Sequence, residues 1–304
     1  MACAAPPQNT RKAEPRQTIE DEDAYAHKVL QEILDGRLDL HGNPWVAPKN
    51  PFQEAVEING KRKESGEPAI DSTEALNLVL RTPMFVWAPE KLAPGLIVRC
   101  PTCGTMNSGT RWGPLRVLHN LTGRSIYVSS RHRCGKCRNK SKKSAVEFMA
   151  DSPEVVATLP VLVQSLWNFQ NQSRGHGGHI TCTSLSDFIQ AHATKQSWEA
   201  IANAIDEMKK TAWARDVTLR YLRLCEMLQL VPDEIPAALP GEYRLSAHWI
   251  RRHFLSEYFA RQGEIEQEIA AETGDNVLAL DWTHTAAARC GGGFMFNAMI
   301  QNKI

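Results

Sequence analysis

Arg99-Cys100-Pro101-Thr102-Cys103-Gly104 is answered by Arg133-Cys134-Gly135-Lys136-Cys137, with thirty residues between Cys103 and Cys134. Each stretch is a C-x2-C turn that brings two thiols about one metal diameter apart. A structural zinc ion asks for four soft ligands in a tetrahedron, and two such turns supply them. Glycine within or just after each turn suits the positive φ of a tight reversal. The pattern therefore predicts one zinc ion held by Cys100, Cys103, Cys134 and Cys137. The interval leaves room for a hairpin or small sheet, the layout of a zinc ribbon. Neither pair sits in the βαβ pattern of a thioredoxin-like redox motif.

The same stretch is strongly one-signed. Between Glu90 and Glu147 lie 56 residues with 12 Lys or Arg and no Asp or Glu. Arg111, Arg116, Arg124, Arg131, Arg133, Lys136, Arg138, Lys140, Lys142 and Lys143 surround the cysteines, and a ribbon this small cannot bury them all. Such a field attracts phosphate, so nucleic acid, with DNA foremost, is the expected partner. Trp112 and Tyr127 are able to stack on bases or to fill a core. The competing expectation is that acidic segments elsewhere in the chain, or on a protein partner, cover this surface. The net charge of +1 leaves enough acid for that.

Composition sets the wider frame. At 304 residues, 42% hydrophobic and 23% charged, the chain has the make-up of a soluble globular protein of about two domains. No apolar run has the form of a signal peptide or membrane span, so nucleus or cytoplasm is expected rather than secretion. In a reducing compartment, paired cysteines point to metal before disulfide.

The organisation predicted along the chain is a disordered tail over 1–26, a helix and irregular lead-in over 27–95, the ribbon over 96–150, a helical domain over 151–275, and a hairpin over 276–304. The fold class is α+β. Asp23–Asp35 reads as a helix with Val29, Leu30, Ile33 and Leu34 on one side and Gly36 as its stop. Residues 37–70 read as irregular. Asp71 and Glu74 form a capping-box pattern. Met84-Phe-Val-Trp87, between prolines, reads as an extended segment that packs on the ribbon. Ser152-Pro153-Glu154 opens a helix expected to reach Phe169. Residues 186–193, 198–210, 213–230 and 246–272 read as helices, the last with Trp249, Ile250, Phe254, Tyr258 and Phe259 as its buried stripe. His176-Gly-Gly-His179-Ile-Thr-Cys182 has spacing for three metal ligands but lacks an adjacent fourth.

Val277-Leu-Ala-Leu-Asp281 is an apolar run that ends in a carboxylate, and Gly293-Phe-Met-Phe-Asn-Ala-Met-Ile300 suits an antiparallel partner. With the two cysteine pairs, the Met84–Trp87 segment and Asp151-Ser-Pro-Glu-Val, this resembles an uncharacterised zinc-binding domain of eukaryotic transposon-derived proteins, over roughly residues 80–300. The terminal part resembles the first hairpin of a DDE-type transposase or integrase core, which has an RNase H-like fold. The resemblance implies that Asp281 stands where the first catalytic Asp would be. It also implies that the other metal-binding carboxylates come later in such a core, whereas this sequence runs only 23 residues past Asp281. Two-metal phosphoryl transfer needs several carboxylates, so Asp281 is a vestigial candidate and no catalytic residue is expected. The expected function is a transposase-derived, zinc-dependent nucleic-acid-binding protein without nuclease activity. The alternative is a zinc-stapled scaffold for protein partners.

Overall fold

The computed structural model describes residues 17–93, 95–106, 110–138, 145–167, 179–193, 195–232 and 244–273. The chain divides into two compact units, Met1–Asp39 and Leu40–Ile304. The first contains helix α1, Gln17–Leu34, which starts six residues before the expected Asp23. Gly36, at φ +70°, ends it in the left-handed region, as its position after the apolar stripe predicts. Leu34 is exposed and does not share the buried side of Val29, Leu30 and Ile33.

The second unit is built on a mixed sheet, so α+β is the fold class. In chain order its elements are β1 Trp45–Val46, α2 Pro51–Ser65, α3 Ser72–Leu80, β2 Met84–Trp87, α4 Pro89–Leu92, β3 Thr110–Trp112, β4 Arg116–His119, β5 Arg124–Arg138 and β6 Ala145–Met149. Then come α5 Pro153–Val156, α6 Val161–Gln164, β7 His179–Thr181, α7 Thr183–Ala193, α8 Trp198–Trp213, a π-helical segment Ala214–Thr218, α9 Leu219–Leu228 and α10 Ala247–Thr273.

The central strand is β5. Its first half lies between β2, to which it is parallel, and β4, to which it is antiparallel. β1 and β7 complete the two flanks, giving the order β1-β2-β5-β4-β7. Its second half pairs with β3 and β6, both antiparallel. The expected extended segment Met84–Trp87 is thus an interior strand, buried at all four positions. Phe85 lies in register with Tyr127, and their rings stack at 5.9 Å. Trp87, on the same face two residues on, donates its indole N–H to Ala150 O at 3.0 Å. Trp167 meets Trp87 edge-on at 4.6 Å. Aromatic and β-branched residues fit this doubly covered pleat.

Residues 51–65 correct the expectation of irregular chain. Asn50 caps α2 by accepting from the Phe52 N–H at 3.0 Å, Pro51 takes the first turn, and Gly66 closes the helix at φ +75°. Those three residues are the sequence signals for a helix, but the low apolar content between them hides it. The capping box at Asp71 and Glu74 forms as its spacing predicts. Glu74 also takes a bidentate bond from Arg62, at 2.9 and 2.6 Å, which ties α2 to α3.

The helix expected from Ser152 to Phe169 is also corrected. It stops at Val156, and α6 restarts after Pro160, whose ring and missing N–H forbid a continuous ladder. Ser152 Oγ donates to Met149 O at 2.9 Å instead of capping α5. Phe169 lies outside the described residues.

In α10 the expected stripe is met in part: Ile250 is in the core with Trp249 and Phe254 packed against it, whereas Phe259 is exposed. His253 and Glu257 also face inward. Ser186 Oγ on α7 donates to Glu257 Oε1 at 2.8 Å, and His253 Nε2 lies 3.1 Å from the same carboxylate oxygen. Gln190 donates to Glu257 Oε2 at 3.1 Å. These bonds satisfy a buried acid between two helices, in a cluster otherwise filled by Leu185, Ile189, Ile201, Ile205 and Ile250. Among the described residues, no helix is long and apolar enough to cross a membrane. Residues 276–300, with the expected hairpin and Asp281, lie outside the described residues.

Burial alone raises the Glu257 pKa, but the bonds and charge of His253, with Ser186 and Gln190, outweigh it and hold the carboxyl below its ordinary value. A lowered folded-state pKa contributes stability that is present above the unfolded value and is lost as pH falls through the folded one. Glu257→Ala should therefore destabilise the protein by about 3–5 kcal/mol in urea melts at pH 7. The gap to the unmodified chain should narrow as pH drops below the ordinary glutamate range. A gap that stays constant down to the acid limit would show that the ionised form of Glu257 is not what stabilises the helix pair.

Candidate metal centre

The first cysteine turn is a tight reversal whose flanks pair at Arg99 and Met106. The Cys100 N–H donates to Thr105 O at 3.0 Å, and the Gly104 N–H donates back to Cys100 O at 2.8 Å. Gly104 sits at φ +68°, where a side chain would be strained, so the glycine after this turn is used as expected. Gly135 in the second turn is not in that region, contrary to expectation; a Cβ added there would meet nothing within 4 Å.

The second turn is formed by the sheet itself. Cys134 of β5 is paired with Val146 of β6, and the next pair is Arg138 with Ala145. Four steps along β5 are answered by one along β6. The three residues Gly135, Lys136 and Cys137 are therefore looped out of the ladder as a bulge. The loop turns back so that the Cys137 N–H points at Cys134 Sγ, 3.4 Å away. Backbone amides aimed at sulfur favour the thiolate form that a metal requires.

The four sulfurs converge as the sequence predicts, all within 4.8 Å of one another. Cys103 and Cys134 are 3.5 Å apart, and Cys100 and Cys137 are 3.9 Å apart. An S–S bond is about 2.05 Å, so these are free thiols, not disulfides. A tetrahedron with metal–sulfur bonds of about 2.3 Å has edges of about 3.8 Å, which the two contacts bracket. Cys100 and Cys134 are buried, Cys137 is half-buried and Cys103 is exposed. The cluster is able to hold a metal ion.

The protonation pattern shows how unlike charges would be welcome there. Hydrogen bonding by the Thr105 hydroxyl, whose Oγ1 lies 3.2 Å from Cys103 Sγ, together with the Thr105 backbone N–H, lowers the Cys103 thiol to about 6. Cys137, which bonds to that sulfur and is partly desolvated, is pushed up to about 12. Four adjacent sulfurs cannot all ionise against one another. A divalent cation among them removes the conflict and displaces the remaining protons.

The basic residues predicted to surround the cysteines do not all face outward. Arg111, Arg133 and Lys136 are exposed. Arg116 turns inward: its guanidinium lies 3.5 Å from Asp151 Oδ2, which is 1% exposed, and 5.8 Å over the Tyr127 ring. Tyr127, read as a candidate for base stacking, is fully buried and donates to the same oxygen at 2.9 Å. Arg131 is half-buried and pairs with Glu147 at 3.4 Å. Arg124 is half-buried, with its Nε shielded from solvent. The side chain of Arg138 and all of Lys140, Lys142 and Lys143 lie outside the described residues, as do His176 and the His179 side chain. Cys182, from the second histidine–cysteine motif, is hydrogen-bonded to Ser184 at 3.1 Å.

Sequence reasoning missed a polar group on the buried side of the same strand. Ser130 Oγ donates to Glu90 Oε2 at 3.2 Å and lies 3.0 Å from His132 Nε2, while His132 stacks on Phe148. The only signal was alternation: Ser130, His132 and Cys134 are spaced by two, so they share one face of β5. No family model, curated protein or solved structure matches the chain.

Purified reduced protein should carry about one metal equivalent per chain, bound through four sulfurs at about 2.3 Å by X-ray absorption. Cys134→Ser removes a buried ligand and should release the metal into a chelator. Retention of a full equivalent by the double variant Cys100→Ser/Cys134→Ser would move the metal to other ligands.

Proposed function

We propose that the chain is a zinc-dependent nucleic-acid-binding protein of transposon descent. Cys100, Cys103, Cys134 and Cys137 hold one structural zinc ion as a ribbon-type site, and the basic sheet face beside it meets phosphate, with DNA the expected partner and the nucleus the expected compartment. Four thiolates in a closed, tetrahedral set favour zinc over harder cations, which prefer oxygen. The descent rests on the sequence resemblance alone, and catalysis is not part of the proposal.

One observation carries the nucleic-acid reading. Exposed Arg111, Arg133 and Lys136 stand on the strands that hold and flank the cysteines, within the 56 residues that lack any acid. Arg111 lies directly opposite Arg131 across the ladder, so the two share a face, and Arg133 joins them two residues on. Like charges opposed across strands cost stability. Glu147, paired with Arg131 and in register with Arg133, offsets part of that repulsion, and an anion laid along the face offsets the rest and releases its own counterions. The zinc fixes the turn that presents Lys136, so loss of metal weakens binding as well.

Two pairings favour a second reading, the zinc-stapled protein scaffold. Arg116 with Asp151 and Arg131 with Glu147 show that part of the positive charge is met within the chain. The two readings separate by salt. On the first, a duplex DNA probe binds at 50 mM salt, and log K falls steeply with log salt. The triple variant Arg111→Ala/Arg133→Ala/Lys136→Ala should weaken binding and flatten that slope by about 0.9 per lost phosphate contact. Arg116→Ala should lower stability without flattening it. Absence of binding at low salt, or binding that ignores salt, would leave the scaffold reading in possession.

A further inference from the structure

The four cysteines differ sharply in access, and two close sulfur–sulfur contacts run from one turn to the other. Cys103 is exposed, whereas Cys100 and Cys134 are buried and Cys137 is half-buried. The partner of Cys103 at 3.5 Å is Cys134, across the two turns. The remaining two, Cys100 and Cys137, also face each other across the turns at 3.9 Å. A small oxidant reaching the site therefore meets Cys103 first, with Cys134 poised behind it.

We propose that the site is redox-regulated: a hydroperoxide attacks at Cys103, the metal leaves, and two disulfides, Cys103–Cys134 and Cys100–Cys137, join one turn to the other. The proposal rests on the metal reading above. The Cys103 thiolate attacks one peroxide oxygen, the O–O bond breaks, and the departing alkoxide or hydroxide takes a proton from water. Sulfur is oxidised by two electrons to the sulfenic acid, and the peroxide is reduced. The Cys134 thiolate then attacks that sulfur and expels hydroxide, which closes the first disulfide. The metal, left with two ligands, dissociates. A second peroxide converts Cys100 and Cys137 in the same way. Each disulfide consumes one peroxide and two thiolates. A dithiol reductant with added metal reverses the change.

The geometry requires little movement. The sulfurs close from 3.5 and 3.9 Å to a bond of about 2.05 Å. The oxidised form thus keeps the 99–106 reversal fastened to β5 by covalent bonds in place of the ion.

The test uses the full chain loaded with zinc, with metal content measured before oxidation. Hydrogen peroxide should release one zinc to a chromophoric chelator, and peptide mapping should find Cys103 linked to Cys134 and Cys100 linked to Cys137. At substoichiometric peroxide, a sulfenic-acid trap such as dimedone should mark Cys103 first among the four. Where Cys103→Ser still holds zinc, its release should be slower by about tenfold or more. A reduced chain that holds no metal overturns the metal reading. A loaded chain that keeps its zinc under peroxide overturns this proposal alone. So do disulfides within each turn, Cys100–Cys103 and Cys134–Cys137, or a first adduct on a cysteine other than Cys103.

Discussion

One strand carries both the core and the metal site. β5 spans 15 residues, from Arg124 to Arg138, with a bulge at 135–137. Its first half is interior to the sheet, with Tyr127 and Val128 fully buried between β2 and β4. Its second half delivers Cys134 and Cys137. Ladder bonds hold the strand as far as Cys134, after which Gly135, Lys136 and Cys137 loop out before pairing resumes at Arg138. The position of Cys134 is therefore tied through the sheet to the packing around Phe85, Trp87 and Tyr127, whereas Cys137 is placed by the bulge. A metal ion bound by the four cysteines would fix the first turn, whose flanks are joined, among the described residues, by the bridge at Arg99 and Met106.

That coupling explains how the polar residues along β5 are distributed. Alternation places Ser130, His132 and Cys134 on the covered face, where each finds a partner: Glu90, the Phe148 ring or the other sulfurs. The opposite face carries Arg133, which is exposed, and Arg131, which is half-buried against Glu147. One period-two pattern thus separates a metal-binding side from a charged side without any change of backbone direction. Asp151, buried two residues past the end of β6, accepts from both Tyr127 and Arg116. The arginine is taken out of the surface field by the same core that positions the cysteines.

The sequence made some of this legible and hid the rest for definite reasons. The two cysteine turns were readable because ligand type and spacing leave few alternatives, and the capping box at Asp71 was readable because its chemistry is local. The role of Met84–Trp87 as an interior strand was not readable, since its parallel partner lies some forty residues on. The inward turn of Arg116 depends on Asp151, and the burial of Glu257 depends on Ser186 and Gln190. Those are long-range pairings, and nothing in the local composition announces them. The helix α2 is a different case. Its caps were in plain view at Asn50, Pro51 and Gly66, but its polar interior outweighed them.

The π-helical segment Ala214–Thr218 joins two helices that serve different cores. α8 turns Ile201 and Ile205 toward Leu185, Ile189 and Ile250, while α9 turns Tyr221, Leu224 and Cys225 toward Ala55, Ala75, Leu78 and Val79. A π turn holds one extra residue, and each residue of an α-helix is worth about 100° of rotation. The insertion therefore works as a phase shifter. The covalent rod is continuous, yet the direction in which it is apolar changes midway along it. A single-residue insertion or deletion within 214–218 would therefore turn α9 by about 100° relative to α8. It would leave every side chain of α9 unaltered in kind and point all of them elsewhere.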